Sequence, residues 1–211
     1  MHACIIPLMT SIALLSFKGG VGKTTLALHL ATAAGDALIV DVDRQRSATG
    51  WWRSREAGLP ELVSGTATDT RKAIAATARS WVFVDTAPAI DADARAVAEA
   101  VDFCLIPTRP AILDLRAIAD TVDIVREARK PGAIVLNFCP PGRGVAVSGL
   151  VTEAKRALQA YSLPVAPVAI TQRVALSHAL TGGQAITEFE PDGRAADEIG
   201  RLWRWVSGKA R

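Results

Sequence analysis

Two lysines set five residues apart frame the most chemically committed run of this sequence, Ser16-Phe17-Lys18-Gly19-Gly20-Val21-Gly22-Lys23-Thr24-Thr25. Glycines let a backbone curl until successive N–H groups converge on an anion, and a helix beginning at Lys23 adds the positive end of its dipole. In such a loop Lys23 neutralises the β- and γ-phosphate oxygens of a nucleoside triphosphate, and the Thr24 hydroxyl is a hard oxygen ligand suited to Mg²⁺. Gly19, Gly20, Val21, Gly22 and Thr25 complete the cradle. Phe17 stands where the usual phosphate loop has glycine, five residues before Gly22, and Lys18 follows it as a second cation. A further positive charge beside a triphosphate stabilises the charge that builds during phosphoryl transfer.

Two acidic sites fall where an open α/β sheet keeps its ligands, at the carboxyl ends of strands. Ala37-Leu38-Ile39-Val40 runs into Asp41-Val42-Asp43, and Trp81-Val82-Phe83-Val84 runs into Asp85. An ionised aspartate closing an apolar run is costly to bury unless it faces a cation. A hydrated Mg²⁺ supplies that partner, which makes Asp85 the Walker B acid.

The Lys18–Thr24 run resembles the deviant Walker A loop of the ParA/MinD superfamily of ATPases. That resemblance implies ATP and Mg²⁺ as ligands and a sandwich homodimer formed on ATP binding. In it Lys18 reaches the phosphates held by the partner subunit, so that Lys18, Lys23 and Asp43 are the catalytic residues. Asp41-Val42-Asp43-Arg44-Gln45 resembles the family's first switch, DxDPQ, in which Asp43 orients the attacking water and Asp41 joins Thr24 and Asp85 around the metal. Arg44 replaces the proline of that motif, which removes a stiffening element from the loop. Asp85-Thr86-Ala87-Pro88 resembles the second switch, DxxP.

The likeness continues beyond the nucleotide loop and covers most of residues 11–207. Leu105-Ile106-Pro107-Thr108-Arg109-Pro110 with Leu113-Asp114 is similar to the IPxxPxxLD segment of small partition ATPases. Ala169-Ile170-Thr171-Gln172-Arg173, Asp192-Gly193 and a closing helix resemble ParF-type members. The family places adenine near Asn137 and near the loop around Pro167. No NKxD motif is present to read guanine.

These residues need a scaffold, and the pattern of the chain supplies one. Short apolar runs predict strands at Ile12–Ser16, Ala37–Asp41, Trp81–Asp85, Phe103–Pro107, Ala133–Asn137 and Pro164–Val168. Helical patterns alternate with them at Lys23–Ala34, Thr70–Arg79, Ala92–Ala100, Leu113–Arg129 and Leu150–Tyr161, and Asp192–Val206 closes the chain. The expected fold is a single-domain, doubly wound α/β protein with a mainly parallel sheet and helices on both faces, a P-loop NTPase spanning residues 11–211 after a short extension at residues 1–10. The length of 211 residues suits one such domain. Half the residues are hydrophobic and 21% charged, which excludes disorder and a disulfide-stapled miniprotein.

Three cysteines, Cys4, Cys104 and Cys139, form no CxxC pair, so a reducing cytoplasm is expected and structural zinc is not. Cys104 and Cys139 read as small core residues, not as ligands of an iron–sulfur cluster. His29 reads as a packed histidine, and the Trp51-Trp52 pair fits either a core anchor or a partner surface.

In the last helix Ile199, Leu202, Trp203 and Val206 form one apolar stripe beside Arg194, Arg201 and Arg204. The stripe docks on the sheet in one reading and inserts into a membrane in another. Docking leaves the basic edge free for DNA phosphates, with Arg173 beside it. Net charge of +3 permits such a patch without requiring it.

The function implied by the resemblance is ATP-driven DNA segregation in the cytoplasm, on the nucleoid. The ATP dimer binds nonspecific DNA, and a centromere-binding adaptor protein stimulates hydrolysis. The alternative keeps the ATPase and changes the surface, to a MinD-like membrane factor or a relative that positions a protein cargo. A P-loop metabolic kinase would need an acceptor pocket, for which the sequence carries no signature.

Overall fold

The computed structural model describes residues 9–88, 92–142 and 145–211. The expectation for residues 1–8, Cys4 included, therefore lies outside the described residues. Strands β1 (Thr10–Leu14), β2 (Ala37–Asp41), β3 (Glu61–Ser64), β4 (Trp81–Asp85), β5 (Phe103–Thr108) and β6 (Gly132–Leu136) form one sheet in the order β3-β2-β4-β1-β5-β6. Every pairing is parallel. Among the described residues ten α-helices connect and cover them: α1 (Lys23–Ala34), α2 (Ser47–Arg53), α3 (Thr70–Ala76), α4 (Ala92–Ala100), α5 (Ile112–Ala117), α6 (Ala119–Glu127), α7 (Val145–Leu158), α8 (Val174–Thr181), α9 (Ile186–Phe189) and α10 (Arg194–Ala210).

Alternation along each strand divides the core in two. Ile12, Leu14, Ile39, Phe83 and Leu105 point to the side covered by α1, α8, α9 and α10, whereas Ala13, Leu38, Val40, Val84 and Ile106 point to the side of α3, α4, α6 and α7. Strands buried on both faces read as continuous apolar runs, which is why the central ones were visible in sequence. Helix α1 is rich in alanine and leucine and stops at Gly35, whose φ of 77° suits glycine at a helix end. His29 is fully buried, as expected of a packed histidine; its Nδ1 accepts the Ile186 N–H at 3.1 Å and ties α1 to α9. Burial pushes its pKa down to about 4, so it stays neutral.

Several expectations are corrected. Pro164–Val168 forms no strand; Val165 makes only an isolated bridge to Ile134, because Pro164 and Pro167 have no N–H to give a ladder. The predicted helix 113–129 breaks at Ile118 into α5 and α6. Strand β1 begins at Thr10, and α10 runs to Ala210. The short elements β3, α2, α8 and α9 were not anticipated.

The last helix docks. Ile199, Leu202 and Val206 are fully buried, and Trp203 meets Trp81 edge-on with ring centroids 4.6 Å apart. Membrane insertion would require this stripe to be free. Among the described residues no helix is long and apolar enough to cross a membrane. Cys104 and Cys139 are free and buried in the core, as expected; Trp51 is buried too, and Trp52 is exposed.

Candidate nucleotide site

The parallel register brings three strand ends into one row. Asp85 pairs with Leu14 on one side and with Asp41 on the other, so both acids stand beside the loop that leaves β1. That loop turns at Gly20 (φ 71°) and Gly22 (φ 89°) before α1 begins at Lys23. A Cβ on Gly22 would sit 2.3 Å from Asn137 Nδ2, so glycine is required there by backbone angle and by space. Lys23 folds back across the loop and donates to the Ser16 carbonyl at 2.9 Å. Its pKa is lowered by burial, while Asp85 and Asp43 oppose that shift.

A cleft of about 330 Å³ opens over the loop, lined by Gly20, Gly22, Lys23, Thr24, Thr25, Asp43, Gln45, Ser47, Pro88 and Phe138. Convergent backbone amides, a lysine, a hydroxyl and a carboxylate at a helix start are the groups that bind a triphosphate. Asn137 lies behind the cleft, with Nδ2 donating to the Val21 carbonyl at 2.7 Å, and so braces the loop. Pro167 lines no part of the cleft; its carbonyl accepts from Lys155 Nζ at 2.6 Å.

The two row-mates Asp41 and Asp85 have opposite surroundings. Asp41 Oδ2 accepts from the Thr49 N–H at 2.9 Å and its hydroxyl at 2.6 Å, and Oδ1 accepts from the Asp43 N–H at 3.2 Å. Asp85 is also fully buried, yet neither of its oxygens has a hydrogen-bond partner. Burial pushes its pKa up to about 7; the Thr24 hydroxyl opposes this without reaching hydrogen-bond geometry, and Asp41 and Asp43 reinforce it. An orphaned buried carboxylate facing a threonine hydroxyl fits a hydrated Mg²⁺, which would supply the missing partner.

That burial has a measurable cost. With its pKa raised from 3.8 to about 7, Asp85 gives up its proton more readily in the unfolded state, so metal-free protein loses stability as pH rises across that window. Metal-free Asp85→Asn protein is expected to melt about 2–6 °C above wild type near pH 8. The difference should close as pH falls toward the unfolded-state value. Thermal melts in chelator across this range check the result; equal melting temperatures at high pH would contradict it.

The loop of residues 41–46, where Arg44 stands in place of the proline of the resembling motif, is held by several hydrogen bonds. Asp43 Oδ1 accepts the Gln45 N–H at 2.9 Å, and Arg46, at φ 54°, spans the carbonyls of Asp41 and Gly65 with its guanidinium. Arg44 itself is exposed and carries none of this. Lys18 sits at the open edge of the phosphate loop, its side chain 47% exposed and its ammonium 3.6 Å from the buried Asp114 carboxylate. Arg109, unremarked in sequence except as part of a motif, donates to the Gly20 carbonyl and lies over the Phe138 ring at 5.4 Å.

The four arginines anticipated at a DNA surface are far from uniform. Arg173 is partly buried and paired with Glu198 at 2.9 Å, whereas Arg194, Arg201 and Arg204 are exposed, Arg201 lying 3.7 Å from Asp197. Sequence reasoning missed Thr49, Arg46, Arg109 and Phe138. Their roles depend on elements or turns that no local pattern marks.

Loop, acids and sheet order together define a nucleotide-binding P-loop ATPase with a second lysine at its open edge. Residues 12–186 match the family model of the CobQ/CobB/MinD/ParA nucleotide binding domain, and the chain belongs to that family. It is an ATPase of the ParA/MinD type. It is 35% identical over 208 residues to "Maintenance of carboxysome distribution protein A" of Gloeobacter kilaueensis, covering 92% of this chain and 95% of that relative. The protein of the same name from Halothiobacillus neapolitanus is 30% identical over 207 residues, covering 91% and 94%. Among solved structures, apo McdA of Cyanothece superposes with a TM-score of 0.75 at 16% identity, covering 94% of this chain and 99% of that one. The cell-division ATPase MinD of Pyrococcus furiosus gives 0.74 at 16% identity, over 95% and 99%. These last two likenesses concern the fold.

Proposed function

We propose that this chain is an ATP-cycled positioning ATPase whose cargo is a protein assembly of the carboxysome kind. The observation that carries this reading is the 35% identity, along nearly the whole chain, to a carboxysome distribution protein. Plasmid or chromosome segregation through a centromere-binding adaptor is the other reading of the same machinery, and the sequence relatives favour it less.

In the proposed cycle Lys23 and the backbone of residues 19–25 hold the phosphates of ATP. Thr24 and Asp85 would hold Mg²⁺; Asp41, which the family resemblance places beside them at the metal, has both oxygens taken by Thr49 and Asp43 and would support the metal from behind. Mg²⁺ when bound screens the phosphate charge. Asp43, at the mouth of the cleft, orients the attacking water, and Lys18 leaves Asp114 to reach the nucleotide of a second copy. Asn137 serves the site from behind, by bracing the phosphate loop through the Val21 carbonyl, and Pro167, outside the cleft, has no part in this cycle. The ATP dimer binds nonspecific DNA of the nucleoid through its exposed Arg194, Arg201 and Arg204, with the half-buried Arg173 supporting them, and no membrane involved. A cargo-bound adaptor protein stimulates hydrolysis and resets the dimer.

Deleting the gene in its host, with a component of the carboxysome or equivalent assembly and a resident plasmid both fluorescently marked, tests the cargo. The assemblies should cluster while plasmid retention stays unchanged. Plasmid loss with evenly spaced assemblies returns the segregation reading.

A further inference from the structure

We propose that Thr49 is a positioning residue of the hydrolytic switch: it locks Asp41 as the post around which residues 42–46 fold, and thereby aims Asp43 into the nucleotide cleft. The proposal rests on the role given above to Asp43.

The starting point is the contrast between two buried acids in one register row. Asp85 has no partner for either oxygen, whereas Asp41 has all its protein partners in place. Thr49 supplies two of the three bonds, both to Oδ2, from its amide at 2.9 Å and its hydroxyl at 2.6 Å. That amide belongs to the first turn of α2, where N–H groups have no helical acceptor, so the Asp41 carboxylate serves as the cap of that helix. The remaining oxygen takes the Asp43 N–H at 3.2 Å, which connects the post directly to the residue it aims.

The proton arrangement follows. A hydroxyl has one proton to donate, and the Thr49 proton goes to the carboxylate, which is acceptor-only when ionised. Ser64, whose Oγ lies 2.7 Å from Thr49 Oγ1, is then the donor of that pair. The chain of donation runs from Ser64 at the end of β3 to Thr49 on α2 to Asp41 at the end of β2. Arg46 and the Gly65 N–H, at 3.1 Å, close the same knot on the Asp41 carbonyl. The edge strand thus serves the switch as an anchor, and the stiffness lost with the proline is recovered.

Thr49→Val removes the hydroxyl and keeps the amide. Calorimetry should give an ATP dissociation constant within about twofold of wild type, while kcat falls about tenfold or more with KM unchanged, the split expected when a group acts only on the reacting geometry. In nucleotide-free protein, amide exchange over residues 42–49 should quicken about tenfold, because a local opening has lost one charge-assisted bond. Thr49→Ser should restore both readouts. Ser64→Ala, which leaves the Thr49-to-Asp41 bond, should lower kcat only about twofold.

Unchanged turnover and exchange in Thr49→Val overturn the proposal. So does a lowered melting temperature with loss of ATP binding, since the hydroxyl would then hold the fold and not the switch. If Asp43→Ala hydrolyses ATP normally, the role of Asp43 fails instead, and the exchange measurement still decides whether Thr49 holds the loop.

Discussion

Lys23→Ala protein is expected to fold normally and to lose ATP. The ammonium is the only lysine lining the cleft among the described residues, and no backbone amide can replace its full charge against the β- and γ-phosphates. Charge-assisted bonds are worth about 1.5–3 kcal/mol each, so affinity should drop by about a hundredfold or more. Stability should not follow affinity down. Burial lowers the Lys23 pKa, so holding that charge in nucleotide-free protein is costly, and its removal should leave the melting temperature level or raise it. Titration calorimetry beside a thermal melt separates the two effects. Near wild-type affinity would remove Lys23 from the phosphate site.

The second large effect concerns turnover. Asp43→Ala should keep ATP binding, lose about a hundredfold or more in hydrolysis, and accumulate as a dimer that retards random-sequence duplex DNA. Lys18→Ala should bind ATP and stay monomeric, without retarding DNA. The resting position of Lys18 leaves it free to swing: its ammonium is half exposed and lies 3.6 Å from the Asp114 carboxylate, so water screens the lysine side of the pair and a triphosphate is the stronger anion. Light scattering and gel retardation with ATP, ADP and no nucleotide check both variants. A monomeric Asp43→Ala at saturating ATP, or a Lys18→Ala that dimerises and hydrolyses normally, would reverse the assignments.

The centre of this protein was legible in its sequence and the periphery was not. Strands β2 and β4 are apolar along their length because helices cover both faces, and each ends on an aspartate at the position where the run stops. The glycines and lysines of residues 18–23 announce a phosphate loop because few other environments need those residue types together. Strand β3 has four residues, only two of them partly buried, so its pattern is too short and too mixed to stand out. Helix α2 contains Gly50 and two tryptophans, and its N-cap residue Arg46 makes no side-chain cap, the capping carboxylate coming from Asp41 in another element, so the local sequence carries no helical signature. The consequence fell on the switch. The sequence shows Arg44 in place of a proline, but what restrains the loop is Arg46, Thr49 and the end of β3, contacts that exist only after the chain has folded.

The edge-on pair of Trp81 and Trp203 also makes the protein its own optical probe. Aromatic rings 4.6 Å apart in a fixed tilt couple their transitions, so the near-ultraviolet dichroism of this pair reports whether the last helix is seated on the sheet. Trp52 is 38% exposed and belongs to the short helix whose first turn is tied to the switch, with its indole donating to the Pro60 carbonyl at 3.1 Å. With Trp51 of the same helix buried, the half-exposed Trp52 is the solvent-sensitive emitter beside the switch. Two signals from unlabelled protein thus distinguish a moving loop from a loosening fold.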